Sequence, residues 1–424
     1  MRWTHPIVVI SAVAGLAIRV VMLARYIVLG DPVLWEFGII ASNLVNTGTY
    51  AFFTENVPTA FMPPGFPLLL ASIYYLFGDG ATGHFILATL VLGFLSAIPV
   101  AVGWLAHRLW DAKAGILGFV LACFWPQLLA MGGRLGPVPI YSLLLIWALG
   151  AATNRTWQTQ TRAVVVGLIL GIYSIFRFDG FLAAAPIGYA ALAGVVGWRN
   201  RLALTAMIAL AVCVPLVPWL VRNYDLYGEF VLGTSSGYNL LRGHHENASG
   251  TARDSGPPSV VTSVTQKFEG TKIPGEEERL ALGHHTPSDE LENDRFYRHA
   301  AWSYIKDNPG KTLQVTLAKL LYFVVADFTH PIARRWYFWL PSFIALAVGA
   351  WWWLFGETER GAGTTALWMM FGLQLGLAMA FFVLPRYRMT VDFVPLLFFS
   401  RWLSASVWPR LTTAAASSRH GSSA

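Results

Sequence analysis

The 424-residue chain is 55% hydrophobic and only 12% charged, and its mean hydropathy is +0.52. A soluble protein of this length could not bury so much apolar surface, so the sequence predicts an all-α polytopic membrane protein. The formal charge of +7 does not indicate nucleic-acid binding, because the basic residues lie mostly in short loops between apolar runs, where they orient the spans.

The first predicted span, 6–29, leads into a loop that carries acidic residues but no Lys or Arg, residues 30–66. This loop contains Asp31, Glu36 and Glu55. Within it, residues 36–47 place apolar side chains on one face at helical spacing, which predicts a short amphipathic helix at the membrane interface that stops at Gly48.

The apolar run 65–78 is too short for a full span, so we expect a second interfacial helix there. The basic cluster from His107 to Lys113 then falls on the cytoplasmic side, as the positive-inside rule requires. Apolar runs continue the alternation at 84–106, 114–131, 138–153, 163–176, 181–197 and 202–221.

Residues 222–311 contain no apolar span and predict a large extracytoplasmic loop that forms a small cap. Its last part predicts a helix capped by Ser288 and stopped at Asn308. We interpret His244 and His245 as solvated loop residues rather than metal ligands, because adjacent side chains point apart in an extended chain.

The C-terminal third leaves two topologies open. If the apolar runs 312–328, 336–355, 364–384 and 391–407 all cross the membrane, Arg386 and Arg388 are cytoplasmic. If 312–328 lies in the interface, both arginines are outside. Either way the chain has about 10–11 transmembrane helices, organised as 1–221 with a first outer loop at 30–83, a cap at 222–311, a membrane module at 312–410 and a disordered tail at 411–424.

Four stretches, in this order, resemble one family of membrane enzymes. They are the acidic loop leading into IASNLVNTGTY, the Pro-Pro helix TAFMPPGFPLLLASIYYLFG, the large-loop start RNYDLYGEFVLGTSSGYNLLRGHHENASG, and PRYRMTVDFVPLL. The chain is similar to the GT-C superfamily of integral-membrane glycosyltransferases, in the family 39-like branch of protein O-mannosyltransferases and lipid A aminoarabinose transferases.

The resemblance implies a GT-C-like fold with interfacial helices in the first and large outer loops. It also implies transfer of a sugar from a polyprenyl-phosphate carrier to a lipid, glycan or protein acceptor. We assign no cofactor and no metal-binding residues, and the sequence leaves open whether a metal is needed. Two departures stand out: PVLW separates Asp31 from Glu36, where the branch often has adjacent acids, and Phe61-Met62 precede the prolines, where it often has Lys or His.

For the general base we favour Glu36, which opens the interfacial helix, followed by Asp31. The ordinary explanations are an acid favoured by the helix dipole for Glu36 and a turn before Pro32 for Asp31.

Outward-facing arginines are the candidates for the carrier phosphate, since guanidinium groups pair well with phosphate. Topological anchoring is the alternative explanation for these residues, and Arg177 could instead pair with Asp179. From the resemblance alone we expect Tyr238 and Asn239 to contact substrate. The phosphate candidates are Arg386, Arg388, Arg222, Arg134 and Arg177.

Two other functions fit the composition. A transporter or flippase of lipid-linked sugars would account for the membrane arginines, but it predicts internal repeats, which the sequence lacks. An accessory membrane protein gives no reason for the acidic first loop. We therefore expect a glycosyltransferase in a cell membrane, a bacterial inner membrane, with its active site facing the periplasm or outside.

Overall fold

The computed structural model describes residues 5–26, 34–131, 135–251, 286–329, 331–356 and 360–408. These residues form helices and no β-strands. Six of the helices are long and apolar enough to cross a membrane, and four shorter apolar helices accompany them. The chain is a multi-pass membrane protein, as its composition predicts.

Seventeen α-helices follow one another in the described residues, with 3₁₀ turns before α9 and α14. They are α1 (Pro6–Tyr26), α2 (Trp35–Thr47), α3 (Gly65–Phe77), α4 (Ala81–Leu109), α5 (Ala112–Phe124), α6 (Pro126–Ala130), α7 (Val138–Ala152), α8 (Thr159–Phe176), α9 (Ala184–Leu192), α10 (Trp198–Tyr227), α11 (Ser236–Arg242), α12 (Pro287–Asp307), α13 (Pro309–Val324), α14 (Trp336–Phe355), α15 (Ala362–Ala380), α16 (Pro385–Met389) and α17 (Phe393–Trp402).

The helices run back and forth between two ends of a bundle. We name the end with residues 34–80, 228–251 and 286–308 the loop end, and the other the opposite end. At the opposite end Arg401 donates to Asp111 over 2.7 Å, which joins the end of α17 to the start of α5. The described chain passes between the ends ten times, in agreement with the predicted ten or eleven transmembrane helices.

The first loop has the two interfacial helices that the sequence predicts. Helix α2 ends at Thr47, and Gly48 follows with φ 73°, a conformation that glycine adopts easily. Helix α3 has 13 residues and is therefore about 20 Å long, too short for a bilayer core of about 30 Å. It packs on α2 through the rings of Phe37 and Phe66, whose centroids are 5.2 Å apart.

The apolar run 181–197 is not the single helix that its hydropathy predicts. A 3₁₀ helix, Phe178–Ala183, precedes α9, which has only nine residues. The 3₁₀ segment packs tightly on α8, because a Cβ at Gly180 would lie 2.9 Å from the ring of Tyr173. The chain crosses at this point as two short pieces rather than one regular span.

The N-cap of helix α12 lies two residues before the predicted cap. Thr286, not Ser288, is its N-cap, and it forms a reciprocal capping box with Asp289. The helix ends at Asp307, with Asn308 as its C-cap, as predicted.

Helix α13 decides between the two C-terminal topologies. Thr329, just after α13, lies with its Oγ1 3.3 Å from Oγ1 of Thr251 in the large loop. The helix thus starts and finishes at the loop end and does not cross. The backbone N–H of Val383 also donates to Gly250 O over 2.9 Å, so Arg386 and Arg388 lie at the loop end.

Helix α13 has two different faces. Leu313, Leu317 and Leu321 recur every four residues on an exposed face, at 60%, 54% and 48% exposure. The buried face carries Val315, Lys319 and Phe323. This is the pattern of a helix that lies in the interface with one side toward lipid.

Arg19 lies deep in the first span and faces protein rather than lipid, as a charged side chain within a membrane span requires. It is 2% exposed, and its guanidinium donates to the carbonyl oxygens of Gly15, Ala122 and Cys123 over 3.0–3.1 Å. These bonds fasten α1 to the end of α5.

Candidate active site

Hydrogen bonds hold the part of the first loop that follows α2 in a compact conformation. Asn43 Nδ2 donates to Ala51 O over 3.0 Å, and the Tyr50 hydroxyl donates to Met62 O over 3.0 Å. Thr59 N–H donates to Tyr50 O over 2.9 Å. Glu55 is exposed at the tip of this turn. Hydrogen bonds within the loop therefore fix its conformation, and the loop can hold α2 in one position.

The large loop packs on the first loop through an aromatic cluster. The ring centroids of Phe61 and Tyr238 are 6.0 Å apart, and those of Tyr50 and Trp219 are 5.2 Å apart. Tyr297 of α12 joins the same cluster. The two loops thus form one body at the loop end of the bundle.

A buried carboxyl group strengthens this junction. Glu290 of α12 is 4% exposed; its Oε1 accepts from Ala60 N–H over 3.1 Å and from the Thr234 hydroxyl. Tyr227 OH donates to its Oε2 over 3.4 Å. Burial raises the pKa of Glu290, against the opposing effect of these hydrogen bonds. One side chain therefore fastens α12 to both loops.

Arg222, a predicted phosphate ligand, lies beneath the first loop. Its Nη1 donates to Thr59 O over 2.9 Å and to Asn223 Oδ1 over 2.8 Å. The guanidinium also stacks over the rings of Trp219 and Tyr50, at 4.6 and 5.3 Å from their centroids. In this structure its contacts support the loop, and its phosphate role stays a prediction.

Glu36 and Tyr238 both lie at the loop end, on α2 and α11. Glu36 is half-buried in the first turn of α2, and Tyr238 is buried on α11. Burial raises the pKa of the Tyr238 hydroxyl, and two nearby charges act on it in opposite directions, Arg242 lowering it and Glu36 raising it. Asn239 is half-buried on the same short helix. Tyr238 is thus a buried hydroxyl group on whose pKa the charges of Glu36 and Arg242 both act.

Arg242 was not among the sequence candidates. Its guanidinium lies 4.7 Å from the ring centroid of Phe382, and Phe382 in turn lies 5.7 Å from the ring of Tyr387. The signal available in the sequence was its position at the end of the stretch YNLLR, one helical turn after Tyr238. This residue links the large loop to the Arg386 turn.

Tyr387 lies between two guanidinium groups, those of Arg177 and Arg386, at 5.3 and 5.7 Å from its ring centroid. Arg177 forms a two-pronged ion pair with Asp179, with N–O distances of 2.6 and 2.9 Å, which is the alternative that the sequence left open. Arg386 is exposed, and no ion pair to it occurs within the described residues. Arg386 is therefore accessible to an anion.

Arg388 points the other way, into the bundle. It is 8% exposed, and its Nε donates to Asp392 Oδ1 over 2.9 Å. Its two remaining nitrogens donate to Phe323 O over 3.2 Å and to Ser342 Oγ over 2.8 Å. Phosphate binding by Arg388 stays a prediction, whereas its observed contacts position the turn that carries Arg386.

Asp31 and Arg134, the two other predicted site residues, lie outside the described residues.

The Pro-Pro turn brings the two halves of the site together. Gly65, which opens α3, is so close to Phe176 that a Cβ there would lie 2.8 Å from its ring. On the other side Phe66 contacts Phe37, the neighbour of Glu36. The turn therefore packs against Phe37 and Phe176, which are the sequence neighbours of Glu36 and Arg177. We name Glu36, Tyr238, Arg242, Tyr387 and Arg386 the candidate site.

His244 and His245 are not solvated, so that interpretation was wrong. They are 5% and 4% exposed, because α13 and the end of α15 cover them. His244 Nε2 lies 3.1 Å from Lys319 Nζ and 2.9 Å from Ala380 O. Burial and the Lys319 charge lower the pKa of His244 to about 4. No group of three or more metal-ligating side chains occurs among the described residues.

An apolar cavity of about 550 Å³ adjoins the candidate site between α11, α12, α13 and the end of α15. Leu240, Trp302, Ile305 and Met379 form its walls, and His244 lines one side. A cavity of this size and character suits a hydrocarbon group rather than a sugar.

The sequence matches no protein-family model, and no curated protein is significantly similar to it. Solved structures do share its fold. The oligosaccharyltransferase of Archaeoglobus fulgidus in its apo form is 16% identical with a TM-score of 0.57, over 98% of this chain and 52% of that chain. The complex of archaeal AglB with an inhibitory peptide and a dolichol-phosphate is 15% identical with a TM-score of 0.53, over 96% of this chain and 52% of that one.

A weaker match is ArnT from Cupriavidus metallidurans bound to undecaprenyl phosphate, 14% identical with a TM-score of 0.44, over 93% of this chain and 78% of that one. The chain spans about half the length of the oligosaccharyltransferases that it matches. The fold extends over nearly the whole of this chain, loops included. The chain therefore has the fold of the GT-C membrane glycosyltransferases, the superfamily that its four sequence stretches resemble.

Proposed function

We propose that this chain transfers a sugar from a polyprenyl-phosphate carrier to an acceptor hydroxyl at its loop end. The observation that carries the proposal is an accessible arginine at the loop end, Arg386, at the same end of the bundle as the half-buried carboxylate of Glu36 in the first loop. The AglB structure that shares the fold holds a dolichol-phosphate, a lipid phosphate of this class.

Charge distribution supports an outward-facing site. The connections at the opposite end carry Arg108, Lys113, Arg155 and Arg199. Basic connections are retained on the cytoplasmic side of bacterial membranes, so the loop end faces the outside or the periplasm in our proposal.

The proposed reaction needs a base and a stabilised leaving group. Glu36, or Asp31 in its place, accepts the proton of the acceptor hydroxyl as the new bond to the anomeric carbon forms. The bond from that carbon to the phosphate oxygen breaks, and the leaving lipid phosphate keeps the electron pair. Arg386 pairs with the phosphate, and Arg242 adds positive charge from the large loop.

The apolar cavity beside the candidate site would accept hydrocarbon, from the donor's polyprenyl chain or from a lipid acceptor. It lies between α11, α12, α13 and the end of α15, and Leu240 of its lining is on the same short helix as Tyr238. The acceptor itself is a lipid, glycan or protein.

The test is transfer from labelled polyprenyl-phosphate sugars in membranes that contain the full chain. We expect Glu36→Gln to lower the initial rate by about 100-fold or more, because removing a general base costs that much. Asp31→Asn is tested beside it. Glu55→Gln is the matched control, since Glu55 is exposed at the tip of the same loop, and should change the rate less than about 2-fold.

Full transfer by both Glu36→Gln and Asp31→Asn would remove the loop carboxylates from the mechanism. Movement of a lipid-linked sugar across the bilayer of proteoliposomes, with no transfer to any acceptor class, would show that the protein is a transporter and contradict the proposed enzymatic function.

A further inference from the structure

A second cavity lies at the opposite end of the bundle, far from the candidate site. Its volume is about 940 Å³, and it lies between α8, α9, α10 and the start of α15. Helix α8 separates it from Arg177 by 18 residues, about 27 Å at 1.5 Å per residue. The chemistry proposed for the loop end makes no use of it.

Two arginines, Arg155 and Arg162, supply the positive charge in the lining of this cavity. Arg162 is 4% exposed, and its Nε donates to Ala191 O over 3.0 Å and its Nη1 to Asn154 O over 3.4 Å. Arg155 donates to Ala193 O over 2.8 Å and to Ala190 O over 3.3 Å. These bonds cap the carbonyl end of α9, but they use two of the five N–H groups of each guanidinium.

The positive charge in this cavity has no counterpart in the part of the chain that the structure describes. Both arginines bond to neutral carbonyl oxygens, and no carboxylate pairs with either. Thr159, Gln160 and Asn200 add polar groups to the lining. An anion with several oxygen acceptors would satisfy the free N–H groups of both guanidiniums.

The rest of the lining is apolar. Ala203, Leu204 and Met207 extend the cavity along α10. Next to them Leu202 and Leu210 are 60% and 70% exposed, as expected of side chains that face hydrocarbon. The cavity is thus polar at one side and apolar along α10, which suits an amphiphile rather than a free anion.

We propose that this cavity binds the phosphate headgroup of an anionic membrane lipid, with an acyl chain along α10. Basic pockets between transmembrane helices at the cytoplasmic side are suited to such headgroups. The site is separate from the proposed glycosyl transfer and does not depend on it.

The experiment is native mass spectrometry of the full chain, purified in detergent, with added phosphatidylglycerol or with phosphatidylcholine of the same acyl chains. We expect selective retention of phosphatidylglycerol. Arg155→Gln should weaken it about 5-fold, the effect of one basic residue near a headgroup. Arg199→Gln is the matched control, because this exposed arginine stacks on Trp198 and does not line the cavity, and it should change retention less than 2-fold.

Should Arg155→Gln not fold, Ala203→Trp fills the membrane side of the cavity without changing charge and should also reduce retention. Equal retention of the two lipids, or equal weakening by Arg155→Gln and Arg199→Gln, overturns the proposal. Displacement of phosphatidylglycerol by inorganic phosphate alone would show that the cavity binds a soluble anion. That result would contradict the proposal of a lipid ligand.

Discussion

Two buried arginines at opposite ends of the bundle, Arg388 and Arg162, have different hydrogen-bond partners. At the loop end Arg388 pairs with the buried carboxylate of Asp392, which also accepts from Ser342 and Trp125. At the opposite end Arg162 is equally buried but meets only carbonyl oxygens among the described residues. The charge of Arg388 is thus neutralised within the protein, whereas the charge of Arg162 meets no carboxylate in the part of the chain that the structure describes.

The comparison also separates two arginines that the sequence treats alike. Arg386 and Arg388 are two residues apart in one short helix, yet one is exposed and the other is buried in an ion pair. Pairing with Asp392 fixes the turn and so presents Arg386 at the surface. The internal ion pair and the accessible charge are therefore parts of one arrangement.

The strongest test of the comparison is Asp392→Asn. It leaves a buried guanidinium without its counter-charge, which should cost about 3–5 kcal/mol of unfolding free energy. Arg162→Gln removes bonds to neutral carbonyls and should cost about 1–3 kcal/mol. Thermal unfolding of both variants in detergent measures the difference, and equal losses would show that the two ends do not differ in this way.

A second test concerns Arg386. Arg386→Gln should lower transfer by about 10- to 100-fold, the value of one charge-assisted hydrogen bond of about 1.5–3 kcal/mol to the leaving phosphate. Its unfolding free energy should change by less than about 0.5 kcal/mol, since the side chain is exposed. Arg335→Gln, an exposed loop-end control with the same charge change, should retain activity. Full activity of Arg386→Gln would leave phosphate binding to Arg242 and Arg177.

Glu290 extends the comparison to a buried carboxyl group that has neutral donors and no arginine. Because burial raises its pKa above the usual 4.5, the folded chain holds the proton more tightly than the unfolded chain. Its contribution to stability is full below pH 4.5 and is lost as the pH rises through the folded pKa, by about 1.4 kcal/mol for each pH unit that separates the folded and unfolded pKa values. Glu290→Gln cannot ionise, so its curve of stability against pH should be flatter over that window. Parallel curves for the variant and the wild type would contradict this.

The smallest effect is expected at the exposed start of α12. Thr286→Ala removes the N-cap and should cost about 1 kcal/mol. Ser288→Ala, at the residue that the sequence favoured as the cap, should cost less than about 0.5 kcal/mol. Urea unfolding of the two variants in detergent distinguishes them, and the reverse order would restore Ser288 as the cap.

Local patterns predicted much of the fold. The bounds of α2, the interfacial nature of α3 and the end of α12 follow from apolar spacing, run length and stop residues, which act over a few neighbours. The split before α9 could not be predicted in this way, because it depends on the close approach of Gly180 to Tyr173.

The candidate site was predictable only in outline. Glu36 and Tyr238 were named and both lie at the loop end, where their roles stay predictions, but His244 was misjudged because its cover comes from Lys319, 75 residues further along the chain. Arg386 and Arg388 have the same local sequence signal, and only the position of Asp392 in the folded bundle separates them. The sequence shows which side chains are charged, whereas their exposure depends on packing against residues that are far away in the chain.

The leucine stripe of α13 has a consequence for how the cap responds to its surroundings. Leu313, Leu317 and Leu321 fix the depth of this helix relative to the lipid tails. Pro309 follows Asn308 directly, so α12 and α13 are joined without a linker. A force that acts on the lipid-facing leucines of α13 is thereby passed directly to α12 and to the buried contacts of the cap.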